Sequence, residues 1–542
     1  MRRIEGAAAG MGVPGMRRRS PFSLPSRSAK EIFTLIRRCK APGGLTWRWA
    51  SMSSVVGPSR MSLDTSTLSG SRQLRNAQHQ HWSGPYAGKR VHLIGIGGSG
   101  MSGLAGVLLR CGAVLSGSDR QGFKAQGRLE ELGAAIAIGH APINVPSDCN
   151  IVVASAAVKR DNPEYAEAVR RGLQIMTYAQ MLGQVMKLRT GIAISGTHGK
   201  STTTALVAFI LRHAKADPTF VVGADVPQLD GSSAVGDGAH FVAEACEYDR
   251  SFLNLFPRYA AILNIEEDHL DYFHGIQDIV TAFRDLAELV PDDGAVIANG
   301  EDANVTAALK GIAAPVETFG TSEGLTWRAV DIRSVEGCYQ FTILKDGRPF
   351  AAVSLDNLPG RHQVSNALAA TALAHHAGVA PDVIASALSK FAGAARRLYK
   401  RGEAGGILIL DDYGHHPTEV QVTLRAVREH YPNRKLWVIF QPHQHSRTRF
   451  LLDDFARSFG QADHLLVPDI YFVRDSEAEQ NAISSRHLVE RVCANNCDAK
   501  YLPGHEEIVE YVATHARPGD VVMTMGAGDV WKIADELVRR LA

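Results

Sequence analysis

The sequence predicts an α/β protein of three domains, each built on a mainly parallel sheet. Apolar runs of strand length alternate with helix-like segments from about residue 88 to the C-terminus. Glycine-rich turns or polar clusters follow several of these runs. Ligands of doubly wound sheets bind beyond the carboxyl ends of the strands. With 542 residues, the chain is also too long for one core.

Composition excludes several classes of partner. A net charge of +2 gives no strong field for nucleic acid or a membrane surface. No apolar run approaches the roughly 20 residues of a membrane span, so we expect no membrane insertion. Among seven cysteines, only Cys493 and Cys497 are close together, and no second pair completes a zinc site. We expect reduced thiols in a cytoplasmic protein.

Residues 1–87 are predicted to be a basic, disordered extension. They are rich in Arg and Ser and poor in acids. Such a composition is typical of an organelle transit peptide or of a basic arm that binds nucleic acid. A third reading is an upstream start codon, with Met52 or Met61 as the true first residue.

The first domain, 88–189, is predicted to be Rossmann-like. A strand from Val91 leads into a glycine-rich turn and a helix from Ser102 to Arg110, and a second strand ends at Asp119. An acid at that distance suits a ribose contact. The pattern does not distinguish NAD from another nucleotide diphosphate. A further buried strand is predicted at 151–158.

The central domain, 190–397, is predicted to bind ATP through a phosphate loop between a strand and a helix. If Ala193 stands for the first glycine of the common pattern, the loop is a variant of it. Lys200 supplies a positive charge to the β- and γ-phosphates, and the hydroxyl of Ser201 or Thr202 can hold Mg²⁺.

Two later apolar runs of this domain carry polar residues at their ends. A strand at 240–249 brings Glu244 to a position suited to Mg²⁺, whereas Glu247 and Asp249 are as readily solvated or structural. A second run, 259–269, ends in His269, which could bind a metal, act as a base or simply pack. Short alternating runs at 325–356 predict a β-rich insertion.

The last domain, 398–542, is predicted to be Rossmann-like. A strand from Ile407 precedes a polar cluster and a helix from Thr418, and a strand from Leu436 precedes His443 and Arg447. A further strand, starting at Asp520, ends in a glycine turn before a helix.

Five motifs occur in order: Gly-Thr-His-Gly-Lys-Ser-Thr-Thr, Glu-Ala-Cys-Glu-Tyr-Asp, Asn-Ile-Glu-Glu-Asp-His, Gly-Arg-His-x-x-x-Asn and Asp-Asp-Tyr-Gly-His-His-Pro. Together they resemble the Mur ligase family of ATP-dependent amide-forming enzymes, over 88–542. The stretches Gly-Ile-Gly-Gly-Ser-Gly-Met-Ser and Phe-Gln-Pro-His favour members that join L-alanine to UDP-N-acetylmuramate. The resemblance implies ATP and Mg²⁺, an acyl-phosphate intermediate, peptidoglycan precursor synthesis in the cytoplasm, and a monomer or homodimer.

The resemblance also implies site residues, domain by domain. The UDP-sugar site comprises Gly95, Gly97, Gly98, Ser99, Gly100, Ser118 and Asp119. The ATP site comprises Gly196, Thr197, His198, Gly199, Lys200, Ser201, Thr202, His362, Asn366, Arg397 and Asp412. The metal ligands are Ser201, Glu244 and His269, and the amino-acid contacts are Tyr413, His443 and Arg447. The catalytic residues are Lys200, His269, Arg397, Asp412 and His415, with His415 or His443 as the base for the amine.

The sequence departs from the family pattern at two places. Gln363 stands where the family usually has Asn, which puts one contact near the nucleotide in doubt. Gln444 and His445 replace an Arg and a Tyr, so one guanidinium for the alanine carboxylate is missing. Arg447 or Arg449 could compensate.

Three other functions are compatible with parts of the sequence. A related ligase attaches a tripeptide to the same sugar nucleotide, but it usually has Phe-Ala-His-His where this chain has Tyr-Gly-His-His. A nicotinamide-dependent oxidoreductase leaves the phosphate loop unexplained. An inactive binding protein would have little reason to keep Lys200, Glu244, His269, Asn366, Arg397 and Asp412 together.

Overall fold

A computed structural model describes residues 84–473 and 475–542. The predicted extension 1–87 lies outside the described residues except for 84–87. No helix in the described ranges is both long and apolar enough to cross a membrane. The described strands form three sheets, which confirms the predicted α/β class. The strands of each sheet all lie within one predicted domain. The boundaries at 189/190 and 397/398 therefore stand as our proposal for where the domains end.

The first sheet has five parallel strands in the order β3-β2-β1-β4-β5. The strand order reverses between β1 and β4, which is where ligands bind in doubly wound sheets. The strands are β1 Arg90–Ile94, β2 Val114–Asp119, β3 Ala135–Ile138, β4 Ile151–Ala154 and β5 Gln174–Thr177. The accompanying helices are α1 Ser99–Arg110, α2 Gln126–Glu131, α3 Pro163–Arg170 and α4 Tyr178–Met186, with a short 3₁₀ helix at Pro142–Asn144.

The second sheet has ten strands in the order β15-β14-β13-β12-β11-β10-β6-β9-β7-β8. Its centre is parallel, and β6, which precedes the phosphate loop, lies between β10 and β9. The strands are β6 Thr190–Ser195, β7 Thr219–Val226, β8 Gly231–Ala234, β9 His240–Glu244, β10 Tyr259–Ile262, β11 Ala295–Asn299, β12 Val316–Gly320, β13 Trp327–Val335, β14 Cys338–Lys345 and β15 Arg348–Leu355. The predicted insertion at 325–356 is confirmed as β13–β15, whose two pairings are antiparallel.

Helices cover this sheet and carry site residues. They are α5 Lys200–His213, α6 Ile276–Glu288, α7 Ala303–Ala308, α8 His362–His376 and α9 Pro381–Lys390, with 3₁₀ helices at Pro227–Leu229 and Tyr248–Asn254. Leu206 of α5 and Leu368 of α8 belong to one buried apolar cluster. Burying a Leu side chain stabilises a fold by roughly 1.5–3 kcal/mol. This packing fixes the helix that starts at the loop beside the helix that carries Asn366.

The third sheet has six strands in the order β16-β17-β21-β18-β19-β20, and only β16 is antiparallel to its neighbour. The strands are β16 Tyr399–Ala404, β17 Ile407–Asp412, β18 Leu436–Phe440, β19 His464–Val467, β20 Ala499–Tyr501 and β21 Val521–Met525. The helices are α10 Pro417–His430, α11 His445–Phe450, α12 Leu452–Ala456, α13 Glu477–Ala482, α14 Ser485–Ala494, α15 His505–His515 and α16 Trp531–Leu541.

Several element ends differ from the prediction. Helix α1 begins at Ser99 rather than Ser102, so Gly100 lies in its first turn. The strand predicted at 151–158 ends at Ala154. The strand predicted at 240–249 ends at Glu244, and a 3₁₀ helix follows at Tyr248–Asn254, in which Asp249 and Arg250 have left-handed backbone angles.

Candidate active site

The phosphate loop joins β6 to α5 and needs two of its glycines. Gly196 and Gly199 have φ of 138° and 82°, which side-chain-bearing residues rarely adopt. A Cβ atom at Gly199 would lie 2.7 Å from Oδ1 of Asn366. The loop and α8 therefore approach each other closely, and Asn366, a predicted ATP contact, lies beside the loop.

Asn264 holds the loop in place from the end of β10. Its side-chain oxygen accepts a hydrogen bond from the N–H of His198 at 2.7 Å, and its Nδ2 donates to the His198 carbonyl at 3.1 Å. Thr197 N–H donates to the Asn264 carbonyl at 3.0 Å. Asn264 is the first residue of the motif Asn-Ile-Glu-Glu-Asp-His, but the sequence did not show that its side chain would hold the loop.

Lys200 starts α5 and folds back over the loop. Its Nζ donates to the carbonyls of Gly196 and Thr197, at 2.6 and 3.0 Å, and to Oε1 of Glu247 at 2.9 Å. Burial alone would lower the pKa of Lys200, but the Glu247 carboxylate raises it, so the amine stays protonated. Glu247 is almost fully buried, whereas the sequence was equally compatible with a solvated or a structural side chain.

Two side chains, Glu244 and Arg397, contact the hydroxyl of Ser201. The hydroxyl donates to Oε1 of Glu244 at 3.1 Å, and Arg397 Nη2 donates to the hydroxyl oxygen at 3.2 Å. The other oxygen of Glu244 accepts from the N–H of Gly223 at 2.7 Å. Thr202 follows in α5 and is buried. The predicted ligands Ser201 and Glu244 are therefore in contact, and they offer the oxygen donors that Mg²⁺ prefers.

His269, the third predicted ligand, lies in a left-handed backbone conformation with φ of 54°. Its Nε2 is 3.8 Å from Glu247 and 3.9 Å from Asp268. The Nδ1 of His269 and the Oε2 of Glu247 are buried without a hydrogen-bond partner. Buried polar atoms are normally paired, so each of these two atoms has the capacity to take a further partner.

At the start of α8, Gln363 connects two predicted ATP contacts. Its Nε2 lies 3.0 Å from Nε2 of His362, and its Oε1 accepts from Asn366 Nδ2 at 2.9 Å. Burial lowers the pKa of His362 to about 4, so the ring is neutral at pH 7. Beside His362, a cleft of about 330 Å³ is lined by α8 and α10.

Asp412 ends β17 and is held by backbone. Its oxygens accept from the N–H groups of Gly414 and Leu398, both at 2.7 Å. Burial raises the pKa of Asp412 to about 6, although Arg397 opposes the change. The carboxylate thus fixes the turn that presents Tyr413, whose ring lies 5.0 Å from the Arg397 guanidinium.

Two of the predicted amino-acid contacts, His443 and Arg447, lie together with His415. The rings of His415 and His443 are 5.8 Å apart, and Nη1 of Arg447 lies 3.3 Å from Nδ1 of His443. Nε and Nη2 of Arg447 donate to one oxygen of Asp268, at 3.0 and 2.7 Å. Arg449 instead pairs with Glu479 at the surface, so only Arg447 lies among these residues.

The two replaced residues lie in the same region. Gln444 is buried with φ of 67°, and its Nε2 has no hydrogen-bond partner. The backbone N–H of His445 donates to Asp475 at 2.5 Å. Asp475 therefore fixes the first turn of α11, and the sequence gave no sign of this contact.

The glycine-rich turn after β1 is closed by Asp119. The Asp119 carboxylate accepts from the N–H of Gly97 at 2.8 Å. A Cβ atom at Gly100 would lie 2.7 Å from the Tyr178 hydroxyl, so the start of α1 packs tightly on α4. The turn carries the remaining predicted contacts of its site, Gly95, Gly98 and Ser99.

Ser118, one of the predicted UDP-sugar contacts, makes its hydrogen bonds inside the first domain. Its hydroxyl is fully buried, donates to Glu164 Oε2 at 2.5 Å and lies 3.0 Å from Nδ1 of His140. Its carbonyl accepts from the N–H groups of Gly95 and Ile96, at 2.8 and 3.0 Å. Ser118 therefore supports the turn through its backbone, and the hydroxyl serves an internal network that the sequence did not reveal.

Three family models match successive parts of the chain. They are the Mur ligase family catalytic domain at residues 90–190, the Mur ligase middle domain at 194–374 and the Mur ligase glutamate ligase domain at 396–528. The chain belongs to the Mur ligase family.

Two individual relatives with the same name are similar to this chain over most of its length. A UDP-N-acetylmuramate–L-alanine ligase from Acetivibrio thermocellus is 42% identical over 455 residues, which cover 83% of this chain and 96% of the relative. A ligase of the same name from Alkaliphilus metalliredigens is 42% identical over 452 residues, which cover 83% of this chain and 97% of that one.

Solved structures agree on the fold. A UDP-N-acetylmuramate-alanine ligase from Thermotoga maritima has a TM-score of 0.70 at 26% identity, covering 83% of this chain and 98% of that chain. A murein peptide ligase from Psychrobacter arcticus has a TM-score of 0.64 at 28% identity, covering 84% and 99%.

Proposed function

We propose that this protein joins L-alanine to the lactyl carboxylate of UDP-N-acetylmuramate, with ATP converted to ADP and phosphate. One observation carries the proposal: residues of the last domain reach the phosphate-binding residues of the central domain. Arg397 contacts Ser201, beside Lys200, and Arg447 of the last domain contacts Asp268, the neighbour of His269. The 42% identity to a ligase of this name supports the choice of substrates.

The phosphate loop would hold ATP. The ammonium group of Lys200 now donates to Glu247 and to two carbonyls. When ATP binds, it would donate to the β- and γ-phosphates instead. The loop glycines leave room for phosphate oxygens near the N-terminus of α5. The cleft beside His362 would take the adenine, and Asn366, one helical turn further along α8, would contact the nucleotide beside the loop.

Ser201, Glu244 and His269 would hold Mg²⁺. Bound there, the cation would offset the charge of the phosphates and orient them. Arg397 adds a fixed guanidinium next to Ser201, where negative charge builds up as the γ-phosphoryl group moves to the carboxylate. The product of that step is an acyl phosphate and ADP.

The amine of L-alanine would then attack the acyl carbon, and phosphate would leave. Burial lowers the pKa of His415 to about 4, so its ring is neutral at pH 7. Nδ1 of His415 lies 3.2 Å from the Tyr413 carbonyl and would donate to it, which leaves the Nε2 lone pair to accept a proton. Arg447 would face the alanine carboxylate, and the turn after β1 would bind the UDP diphosphate.

The deciding experiment measures phosphate release from ATP with UDP-N-acetylmuramate and Mg²⁺. We expect release with L-alanine and loss of at least about 100-fold in kcat for Lys200→Met. The matched control is Lys310→Met, which removes an exposed lysine and should leave kcat unchanged.

The acceptor series tests specificity in the same assay. Glycine and L-serine show whether Gln444 and His445 have loosened selection. Release with a tripeptide acceptor alone would replace this proposal with the tripeptide ligase, which the similarity to the murein peptide ligase favours as second candidate. No release with any acceptor would contradict both.

A further inference from the structure

Two histidines and a glutamate meet where the start of α10 contacts the central domain. Nε2 of His198 lies 3.5 Å from Oε2 of Glu266, and Nδ1 of His416 lies 3.9 Å from the same oxygen. One ligand atom from each residue lies within 4.8 Å of the others. The proposed reaction uses neither Glu266 nor His416.

The outer nitrogen of each ring is already engaged. Nε2 of His416 lies 3.1 Å from the carbonyl oxygen of Glu267, so it donates there, and the inner Nδ1 accepts a long hydrogen bond of 3.3 Å from the N–H of Thr418, which a cation would displace. Nδ1 of His198 lies 3.2 Å from Oε1 of Glu419, and its inner Nε2 is buried without a hydrogen-bond partner. Metal-binding histidines show this arrangement, with the second nitrogen held by a carboxylate or a carbonyl.

The spacing also suits a small cation. Ligands at about 2.0–2.1 Å from a tetrahedral ion lie roughly 3.4 Å from one another. The two separations from Glu266 exceed this by only a few tenths of an ångström, and a small ring rotation brings the histidine nitrogens together. The hydroxyl of Thr418 donates to Glu266 Oε2 at 2.5 Å and fixes the carboxylate.

We propose that His198, Glu266 and His416 form a binding site for a transition-metal ion of the Zn²⁺ type. Imidazole nitrogens suit Zn²⁺, whereas Mg²⁺ prefers oxygens such as those of Ser201 and Glu244. The cation would replace the proton on His198 and balance the charge of the carboxylates.

This site would link two parts of the molecule. His198 and Glu266 belong to the central sheet's loops, and His416 begins a helix of the last sheet. A bound ion would therefore hold these parts together and slow any step that needs them to separate. The inference does not rest on the proposed reaction.

The test uses the full chain without an affinity tag and with excess Mg²⁺, which occupies the oxygen-rich site. Zn²⁺ is titrated by calorimetry, and Co²⁺ serves as a visible-absorption probe of geometry. We expect one equivalent of each, with the intense bands of tetrahedral Co²⁺. Glu266→Gln and His416→Gln should each lower the affinity by at least about 100-fold, and Thr418→Val by about 10-fold.

The matched control is Glu267→Gln. The side chain of Glu267 is exposed, and only its backbone carbonyl contacts His416, so removal of its charge should leave the cluster intact. This variant should keep the affinity within about twofold of wild type. Equal Zn²⁺ affinity in wild type and Glu266→Gln, equal losses in Glu266→Gln and Glu267→Gln, or no binding by wild type would each overturn the proposal. Thr418→Val keeps the test decisive if a ligand variant does not fold.

Discussion

At the residue scale, Gly199 is where one added methyl group should do the most damage. Gly199→Ala places a Cβ at φ of 82° and 2.7 Å from Asn366 Oδ1. The backbone angle alone costs about 1–2 kcal/mol, and the contact pushes the loop from α8. We expect a larger loss in urea unfolding and a rise of at least about tenfold in the KM for ATP.

Gly172→Ala is the matched control for that variant. Gly172 has φ of 64°, but nothing lies within 4 Å of an added Cβ. Gly172→Ala should lose only the stability that corresponds to its backbone angle and should keep the KM for ATP. Equal KM values for the two variants would show that the approach of Asn366 to the loop does not matter for ATP.

Glu164 should make the stability of the first domain depend on acid pH. Burial opposes its ionisation, but hydrogen bonds from His92, Ser118 and Asn144 lower the pKa of Glu164 to about 2. A carboxyl with a lowered folded pKa stabilises the fold above its unfolded pKa near 4.5, and this is lost as pH falls toward about 2. Glu164→Gln should cost about 2 kcal/mol at pH 7, after allowance for solvent screening, and less at pH 3.

Urea unfolding at several pH values measures this effect. The control is Glu131→Gln, which removes an exposed carboxylate from α2 and should leave the pH profile unchanged. A constant difference between wild type and Glu164→Gln from pH 7 to pH 3 would contradict the assignment.

At the element scale, α3 depends on its cap to place Glu164. The side chain of Asn162 accepts from the N–H groups of Glu164 and Tyr165, at 2.9 and 3.2 Å, and Pro163 starts the helix. Asn162→Ala should destabilise the first domain by about 1 kcal/mol in urea unfolding. Asp161→Ala, one residue earlier and exposed, should have no measurable effect; a loss as large as that of Asn162→Ala would argue against a specific cap.

The elements themselves were the most predictable part of this chain. Most strands follow from short runs between turns, and the strand predicted to end at Asp119 does end there. Element ends were less predictable where backbone angles decide them. The run 240–249 reads as one strand, yet the strand ends at Glu244 and a 3₁₀ helix with left-handed angles at Asp249 and Arg250 follows.

Pairings between distant residues could not be predicted from the sequence. Motifs placed Lys200 and Glu244 near one site, but nothing local indicates that Lys200 pairs with Glu247 or that Arg447 pairs with Asp268, 179 residues away. Those pairs depend on how the sheets pack against each other. The same holds for the network around Glu164, whose members come from separate loops and strands.

At the scale of the whole molecule, the β13–β15 insertion contacts the last domain far from the phosphate loop. The Tyr339 hydroxyl on β14 donates to Glu429 on α10 at 2.7 Å. Hydrogen bonds to charged groups contribute roughly 1.5–3 kcal/mol. This contact therefore favours the arrangement in which Arg447 reaches Asp268.

Tyr339→Phe should shift the molecule toward an arrangement in which the last domain has moved away. By small-angle X-ray scattering, we expect a larger radius of gyration without substrates and recovery with ATP and UDP-N-acetylmuramate, whose binding favours closure. The KM for L-alanine should rise several-fold while kcat changes little, since Tyr339 touches no reacting group. Tyr501→Phe is the control, because its hydroxyl donates to Asp469 within the last domain at 2.6 Å. A radius unchanged in Tyr339→Phe, or equally changed in both variants, would mean that this contact does not control closure.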